Sequence, residues 1–266
     1  PVRVLTRDKA RAEHWGARGA DIAVADLGDP DSLAAANEGV GRVVLQLPLQ
    51  YDFELHETYG RNAVDAAKAA GVEMVVLNTS AQVLEGTQVK AYRARQVVVD
   101  YLQASGIPNI VLRPTFYMEI LLGPWIRPAI VENGLIAFPL PADFPMSWVS
   151  ATELAGYAVA ALDRPDLVGR TFDIGGPEAL TGEDLASWFG KALGRTCSYF
   201  PITPDDYEKS LAPVFGATVA FEVASQVRCM IDRGSGAVDM TATAATFSVE
   251  PLPLSRWIEG HSWDSV

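Results

Sequence analysis

Three groups of residues carry side chains with which this chain could do chemistry. The hydroxyl pair Thr79-Ser80 closes the apolar run Met74-Val75-Val76-Leu77. Tyr92, Arg95 and Gln96 stand three and four residues apart, which on a helix places them on one face, where an acid–base or phosphate-reading group could lie. The corner Pro114-Thr115-Phe116 follows a second apolar run, Ile110-Val111-Leu112. No Ser-His-Asp order and no nucleophile elbow occurs, so hydrolase chemistry has little support. The histidines His14, His56 and His261 show no metal-ligand spacing and are read as surface residues; no metal is expected.

These groups need elements to position them. Met74 to Leu77 is short and β-rich and reads as a buried strand. From Lys90 to Ser105 the residues Ala94, Val97, Val98, Tyr101 and Leu102 recur at helical spacing until Gly106 and Pro108 stop them, and Ile110 to Leu112 reads as the next strand. Strand, helix, strand is a βαβ crossover, which lays two parallel strands side by side with their C-terminal ends together. Ligands of open parallel sheets bind outside those ends, so all three groups fall where a site belongs. Upstream, Val2 to Thr6, Ile22 to Val24 and Val43 to Leu47 read as strands, separated by helices at 9–17 and from Asp29-Pro30 to Gly39, and Leu55 to Ala70 marks a long helix. The alternation is that of an α/β, doubly wound parallel sheet.

After Phe116 the rhythm breaks. Gly123, Pro124, Pro128, Gly134, Pro139, Pro141 and Pro145 make 123–148 loop-rich, as segments that build the substrate side of a cleft are. Regular structure resumes with a helix at 152–162 and the strand Phe172 to Ile174, ended by Gly175-Gly176-Pro177. Thr181 and Asp184 form a capping-box pattern for a helix ending at Leu193, Tyr199-Phe200 reads as a strand, and 205–229 reads as two helices broken near Pro213 and Gly216. A terminal helix around Arg256-Trp257-Ile258 closes the pattern. The expected division is 1–122 for a nucleotide-binding domain and 123–266 for a small C-terminal α/β part that binds substrate.

Composition narrows the partners. The chain has 266 residues, 49% hydrophobic and 20% charged, with a formal net charge of −12, which is globular and strongly acidic. No basic run able to track a phosphate backbone occurs, so no nucleic-acid partner is expected. Two cysteines, Cys197 and Cys229, are too few for a disulfide framework. No apolar run approaches the length of a membrane span and no leader is read, so no membrane partner and a cytoplasmic location are expected. A homodimer is left open.

Read in order, the chain resembles the NmrA-like branch of the atypical short-chain dehydrogenase/reductase family. The pieces that carry the resemblance are Val-Arg-Val-Leu-Thr-Arg-Asp at 2–8, Ala-Asp-Leu at 25–27 with Asp-Pro-Asp-Ser-Leu after it, and Ala-Ser-Gly-Ile-Pro leading to Leu-Arg-Pro-Thr-Phe-Tyr-Met-Glu within 104–119. Trp148-Val149 before a helix and Gly175-Gly176-Pro177-Glu178 before Leu180-Thr181 complete it. The resemblance implies a Rossmann-type domain binding NADP(H) rather than NAD(H), because Arg7, helped by Lys9, stands where the family meets the adenosine 2′-phosphate and a guanidinium pairs bidentately with phosphate. It further implies Asp26 and Leu27 beside the adenine and Leu47 and Pro48 at the central ribose and phosphates. Thr79, Ser80, Arg95, Pro114, Thr115 and Phe116 complete the cofactor contacts, mostly at the nicotinamide end. Phe116, Tyr117, Met118, Met146 and Trp148 are the expected substrate-binding residues, with a core role as the alternative for Phe116, Met118, Met146 and Trp148.

Two departures from the family pattern stand out. The family opens with a strand and a Gly-rich turn that brings a helix N-terminus to the pyrophosphate. Here residues 2–5 match the second strand, and neither Gly16 and Gly19 nor Gly234-Ser235-Gly236 can substitute for that turn. Roughly one βα unit of about 20–30 residues is expected upstream, or the dinucleotide is held otherwise. In the Tyr-x-x-x-Lys dyad of classical members, Arg95 takes the lysine position and Ala91 the tyrosine position. Arginine holds a hydroxyl or phosphate but does not exchange protons. Proton transfer then falls to Tyr92, Ser80, Tyr117 or water, and Tyr92, Arg95 and Ser80 are the catalytic candidates. The alternative for Arg95 is a surface helix charge paired with Asp100 or Glu85. The expected function is an NADPH-dependent reductase of a small quinone, ketone or related conjugated substrate. The alternatives are a non-catalytic NADP(H)-binding sensor, favoured by Ala91 and Arg95, and a cofactor-free isomerase or cyclase.

Overall fold

Short apolar runs bounded by carboxylates, prolines and glycines become, in the computed structural model, a chain of alternating strands and helices; the structure describes residues 1–48, 51–84 and 86–263. β1 (Arg3–Thr6) and β2 (Asp21–Val24) pair in parallel around the crossover helix α1 (Lys9–Gly16), whose first turn is capped by the Asp8 carboxylate. The Asp29 side chain accepts the N–H groups of Asp31 and Ser32 to start α2 (Pro30–Asn37), where Pro30 has no donor to waste. β3 (Arg42–Gln46), α3 (Phe53–Ala69), β4 (Met74–Asn78), α4 (Lys90–Ala104) and β5 (Asn109–Pro114) follow.

Next come β6 (Phe116–Tyr117), a 3-10 turn at Met118–Leu122, α5 (Arg127–Asn133), β7 (Leu135–Phe138), β8 (Met146–Val149), α6 (Ala151–Leu162) and β9 (Thr171–Ile174). The chain continues through β10 (Ala179–Leu180), α7 (Gly182–Leu193), β11 (Ser198–Pro201), α8 (Pro204–Phe215), α9 (Ala217–Asp232), α10 (Thr241–Phe247) and α11 (Leu254–Glu259).

Four strands form the main sheet in the order β3-β4-β5-β9, all parallel. Its central strands are apolar on both faces because both are covered. Val75, Leu77 and Val111 pack with Val64, Ala67, Val98 and Leu102 of α3 and α4, while Val76, Ile110 and Leu112 pack with Leu154, Tyr157 and Ala158 of α6. The β1–β2 pair is a separate sheet, and β6-β8-β10 and β7-β11 form two smaller ones. Beyond the main sheet, Met118, Ile130, Ile136, Trp148, Phe189 and Trp257 share a further core. At the end of β9, a Cβ on Gly176 would stand 2.1 Å from the Trp148 carbonyl oxygen, so only glycine lets these backbones cross.

Several expectations are corrected. The break in 205–229 lies at Gly216 alone, with φ of 83°, and Pro213 sits inside α8 near its end. α10 was not read: its sequence, Thr-Ala-Thr-Ala-Ala-Thr-Phe, contributes only Phe247 to a core and lacks apolar periodicity. His14 is exposed, but His56 and His261 are half-buried, and the His261 ring lies 4.2 Å from that of Trp257. Among the described residues no helix is long and apolar enough to cross a membrane.

Candidate active site

The parallel register sets Gln46, the last residue of β3, opposite Asn78, the last of β4. Tyr117 reaches the same place from β6. The Asn78 amide nitrogen donates to Gln46 Oε1 at 2.9 Å and to Tyr117 Oη at 3.2 Å, and its oxygen accepts the Ser80 N–H at 2.8 Å. Ser80 sits at φ 62°, in the left-handed region a serine rarely enters, and its hydroxyl lies 3.4 Å from the Leu47 carbonyl. Burial pushes the Tyr117 phenol up and the nearby Glu119 carboxylate adds to this, while the Asn78 hydrogen bond acts the other way.

Thr79 and Thr115 are buried. Thr79 Oγ1 lies 2.6 Å from the Ala81 carbonyl oxygen and 3.2 Å from that of Leu112, so its one proton serves the backbone. Thr115 has no partner for its hydroxyl, and its N–H bonds the Ile174 carbonyl at 2.8 Å. Pro114 ends β5. Leu47 is buried and Pro48 exposed. Of the expected substrate residues, Met118, Met146 and Trp148 are fully enclosed in the core, whereas Phe116 and Tyr117 keep partial exposure; Phe116 packs edge-on against Phe138 and Trp148 at 5.6 Å.

Tyr92 and Arg95 share a helix face, and that face meets α9. Arg95 Nη1 donates to the Ala91 carbonyl at 3.0 Å and to Gln226 Oε1 at 3.2 Å, and the Tyr92 hydroxyl donates to the Gln226 carbonyl at 3.4 Å. Gln96 points elsewhere, donating to Asp100 at 2.7 Å. Arg95 is therefore no surface charge paired with Asp100, and Glu85 lies outside the described residues. Burial pushes the Tyr92 phenol far up and holds Arg95 down. Burial, helped by the Arg95 charge, also holds His56 down to about 4, so it is neutral beside the guanidinium.

At the other sheet, Arg7 extends from the end of β1 with a 75% exposed side chain, its nearest carboxylate oxygen 4.0 Å away on Asp26. Lys9 begins α1 and is exposed. Asp26 accepts the Gly28 N–H at 2.7 Å, and the Leu27 carbonyl accepts the Asn62 amide at 2.8 Å.

The residues missed by sequence reasoning are Gln46 and Asn78, polar ends of two apolar strands, and that polarity was the signal. A cleft of about 490 Å³ was also missed; it is lined by Val83, Leu84, Thr87, Arg113, Cys229 and Arg233 among others. Arg113, the one charge in an apolar strand, pairs with Asp173 through Nε at 2.8 Å and Nη2 at 3.0 Å.

The model of the NmrA-like family matches residues 1–254. The chain belongs to the NmrA-like family. A relative of this NmrA-like chain, the NAD(P)H azoreductase of Xenophilus azovorans, is 32% identical over 212 residues, spanning 79% of this chain and 72% of the relative. Quinone oxidoreductase 2 of Escherichia coli (strain K12) is 25% identical over 217 residues, spanning 80% and 72%. Two solved structures share the fold: the Escherichia coli NADPH-dependent quinone oxidoreductase complexed with NADPH (TM-score 0.81, 22% identity, 97% of this chain and 89% of that one) and the Citrobacter sp. triphenylmethane reductase complexed with NADP(H) (TM-score 0.83, 19% identity, 97% and 89%).

Proposed function

We propose that this NmrA-like chain is an NADPH-dependent reductase of a small quinone or related conjugated acceptor. The observation that carries the reading is the polar set Gln46, Asn78, Ser80 and Tyr117, gathered at the shared C-terminal edge of β3 and β4 in a chain whose relatives include an azoreductase and a quinone oxidoreductase.

The residues present fit the two ends of the cofactor. Arg7 makes only a loose, exposed ion pair with Asp26 at 4.0 Å and is open to a 2′-phosphate, with Lys9 beside it; Asp26 and Leu27 border the adenine. Leu47 and Pro48 flank the middle, and Ser80, Thr79, Pro114, Thr115 and Phe116 form the nicotinamide end. No glycine-rich strand–turn–helix lies among the described residues. Bound there, NADPH supplies the hydride. The chain's own residues orient the acceptor and exclude water: Phe116 and Tyr117 touch it, while Met118, Met146 and Trp148 stiffen the wall behind them. Residues 1–122 would form the cofactor side and 123–266 the substrate side. Tyr92 and Arg95, engaged with Gln226, hold α9 over α4. We place the protein in the cytoplasm, where Cys197 and Cys229, both unpaired, stay reduced.

The engagement of Tyr92 and Arg95 with α9 favours a second reading, an NADP(H)-responsive regulator whose α9 shifts on binding. Fluorescence titration with NADPH and NADH, followed by a quinone panel, separates the two. The reductase is expected to bind NADPH, to lose about tenfold affinity on Arg7→Ala with NADH unaffected, and to turn over a quinone. Binding without turnover selects the regulator, and binding of neither nucleotide sinks both.

A further inference from the structure

We propose that Tyr117 is the general acid of this reduction and that Asn78, fixed by Ser80 and Gln46, is the residue that aims it. The proposal rests on the reductase reading and adds the proton to it. It follows from hydrogen-bond bookkeeping at one amide. The Asn78 oxygen is committed to the Ser80 backbone N–H at 2.8 Å, a donor that cannot turn round. The amide nitrogen must therefore face the opposite way, where Gln46 Oε1 at 2.9 Å and Tyr117 Oη at 3.2 Å take its two hydrogens. An amide nitrogen accepts nothing, so Tyr117 is the acceptor in this bond and keeps its own O–H uncommitted.

Other hydrogen-bonded tyrosines behave oppositely. Tyr92 donates to the Gln226 carbonyl, Tyr101 to Asp65 at 2.8 Å and Tyr199 to the Leu140 carbonyl at 2.9 Å. Tyr117 has no acceptor for its proton among the described residues. It is half-buried, and its hydroxyl stands over the C-terminal ends of β3 and β4. Its surroundings, burial first, keep it protonated near neutrality. Ser80, held in the left-handed region, gives its N–H to the Asn78 oxygen, so a strained residue anchors the amide that faces Tyr117.

The step balances as follows. Bound NADPH would supply a hydride, and with it two electrons, to one end of the conjugated acceptor, which leaves an oxyanion at the other. The Tyr117 O–H bond breaks, a new O–H bond forms on that oxygen, and the phenolate takes a proton from water. Asn78 Nδ2 donates more strongly as the phenolate charge develops, which stabilises the transition state at no cost of reorganisation.

The test compares wild type, Tyr117→Phe and Asn78→Ala by turnover, by the pH profile of kcat, by NADPH affinity, and by a tyrosinate absorbance titration in which Tyr117→Phe identifies the Tyr117 signal. Tyr117→Phe is expected to lower kcat about 10²–10³-fold with NADPH affinity and KM within about twofold. Asn78→Ala is expected to lower kcat and to move the Tyr117 titration to higher pH. A Tyr117→Phe enzyme that keeps kcat within about threefold overturns the proposal and leaves the reductase reading intact. An Asn78→Ala protein with native circular dichroism and an unmoved Tyr117 titration overturns the aiming role. Wild type that binds NADPH yet reduces no acceptor removes the reductase reading and this acid with it.

Discussion

Ser80 shows how a single residue ties conformation to chemistry. Holding an L-residue other than glycine at φ 62° costs about 1–2 kcal/mol, which the Asn78 and Leu47 contacts help to offset. Substitution is expected to order melting temperatures as Gly close to Ser, then Ala, then Val, because a β-branched side chain suffers most in this region; thermal denaturation of the four proteins checks the order. A valine variant as stable as wild type would contradict the strain. At this scale the sequence was legible where residues are near neighbours. The spacing of Tyr92 and Arg95 placed both on one face of α4, but their partner Gln226 is 131 residues or more away and nothing local announces it. Gln46, Asn78 and Tyr117 likewise sit in three different strands: parallel register joins the ends of β3 and β4, and Tyr117 comes to them from another sheet.

Elements carry the next set of consequences. The α6 N-terminus is capped by Ser150, whose hydroxyl accepts the Glu153 N–H at 3.0 Å, and the Glu153 carboxylate accepts the Leu252 N–H at 3.1 Å while its other oxygen has no partner. Burial, aided by the Glu119 charge and opposed by hydrogen bonding from the Leu252 and Ser150 backbone, pushes Glu153 from 4.5 to about 7. Its folded pKa is raised, so the associated stability is complete below about pH 4.5 and is lost as pH rises through about 7. Glu153→Gln, which keeps the bond to Leu252, is expected to match wild type at low pH and exceed it by roughly 2–3 kcal/mol near pH 8, read from urea denaturation at both pH values. A constant difference between the two proteins would refute the linkage.

A second element contact is steric: α3 and α4 approach so closely that a Cβ on Gly60 would lie 2.4 Å from Val98 Cγ2. Gly60→Ala is expected to cost about 1–3 kcal/mol, and Val98→Ala in the same chain to recover part of it; additive losses in the double mutant would contradict the contact. The capping box was legible because Thr181 and Asp184 are three residues apart, and the structure closes it in both directions at 2.9 and 3.2 Å. α10 was not legible because its packing, rather than its sequence pattern, makes it a helix.

At the scale of the whole molecule, the alternation of strands and helices gave away the parallel sheet, since strands buried on both faces must be apolar at their centres, as residues 74–77 of β4 and 110–112 of β5 are. The order β3-β4-β5-β9 was not readable, because β9 joins β5 across more than fifty intervening residues. The main sheet stops at β3 and the small parallel sheet at β1, and each of these strands pairs on one side only among the described residues. Val44 and Leu5 stand exposed on them. In the absence of a further strand to pair with them, such borders are templates for intermolecular pairing, tempered here by the net charge of −12. This polypeptide is therefore expected to self-associate more strongly as salt screens its charge, and Val44→Lys to suppress that growth in light scattering. A screening-insensitive monomer would mean the borders are guarded. If they are not, salt concentration becomes the handle on this protein's colloidal behaviour, and conditions chosen to weaken phosphate binding by screening would also be those in which the protein begins to polymerise.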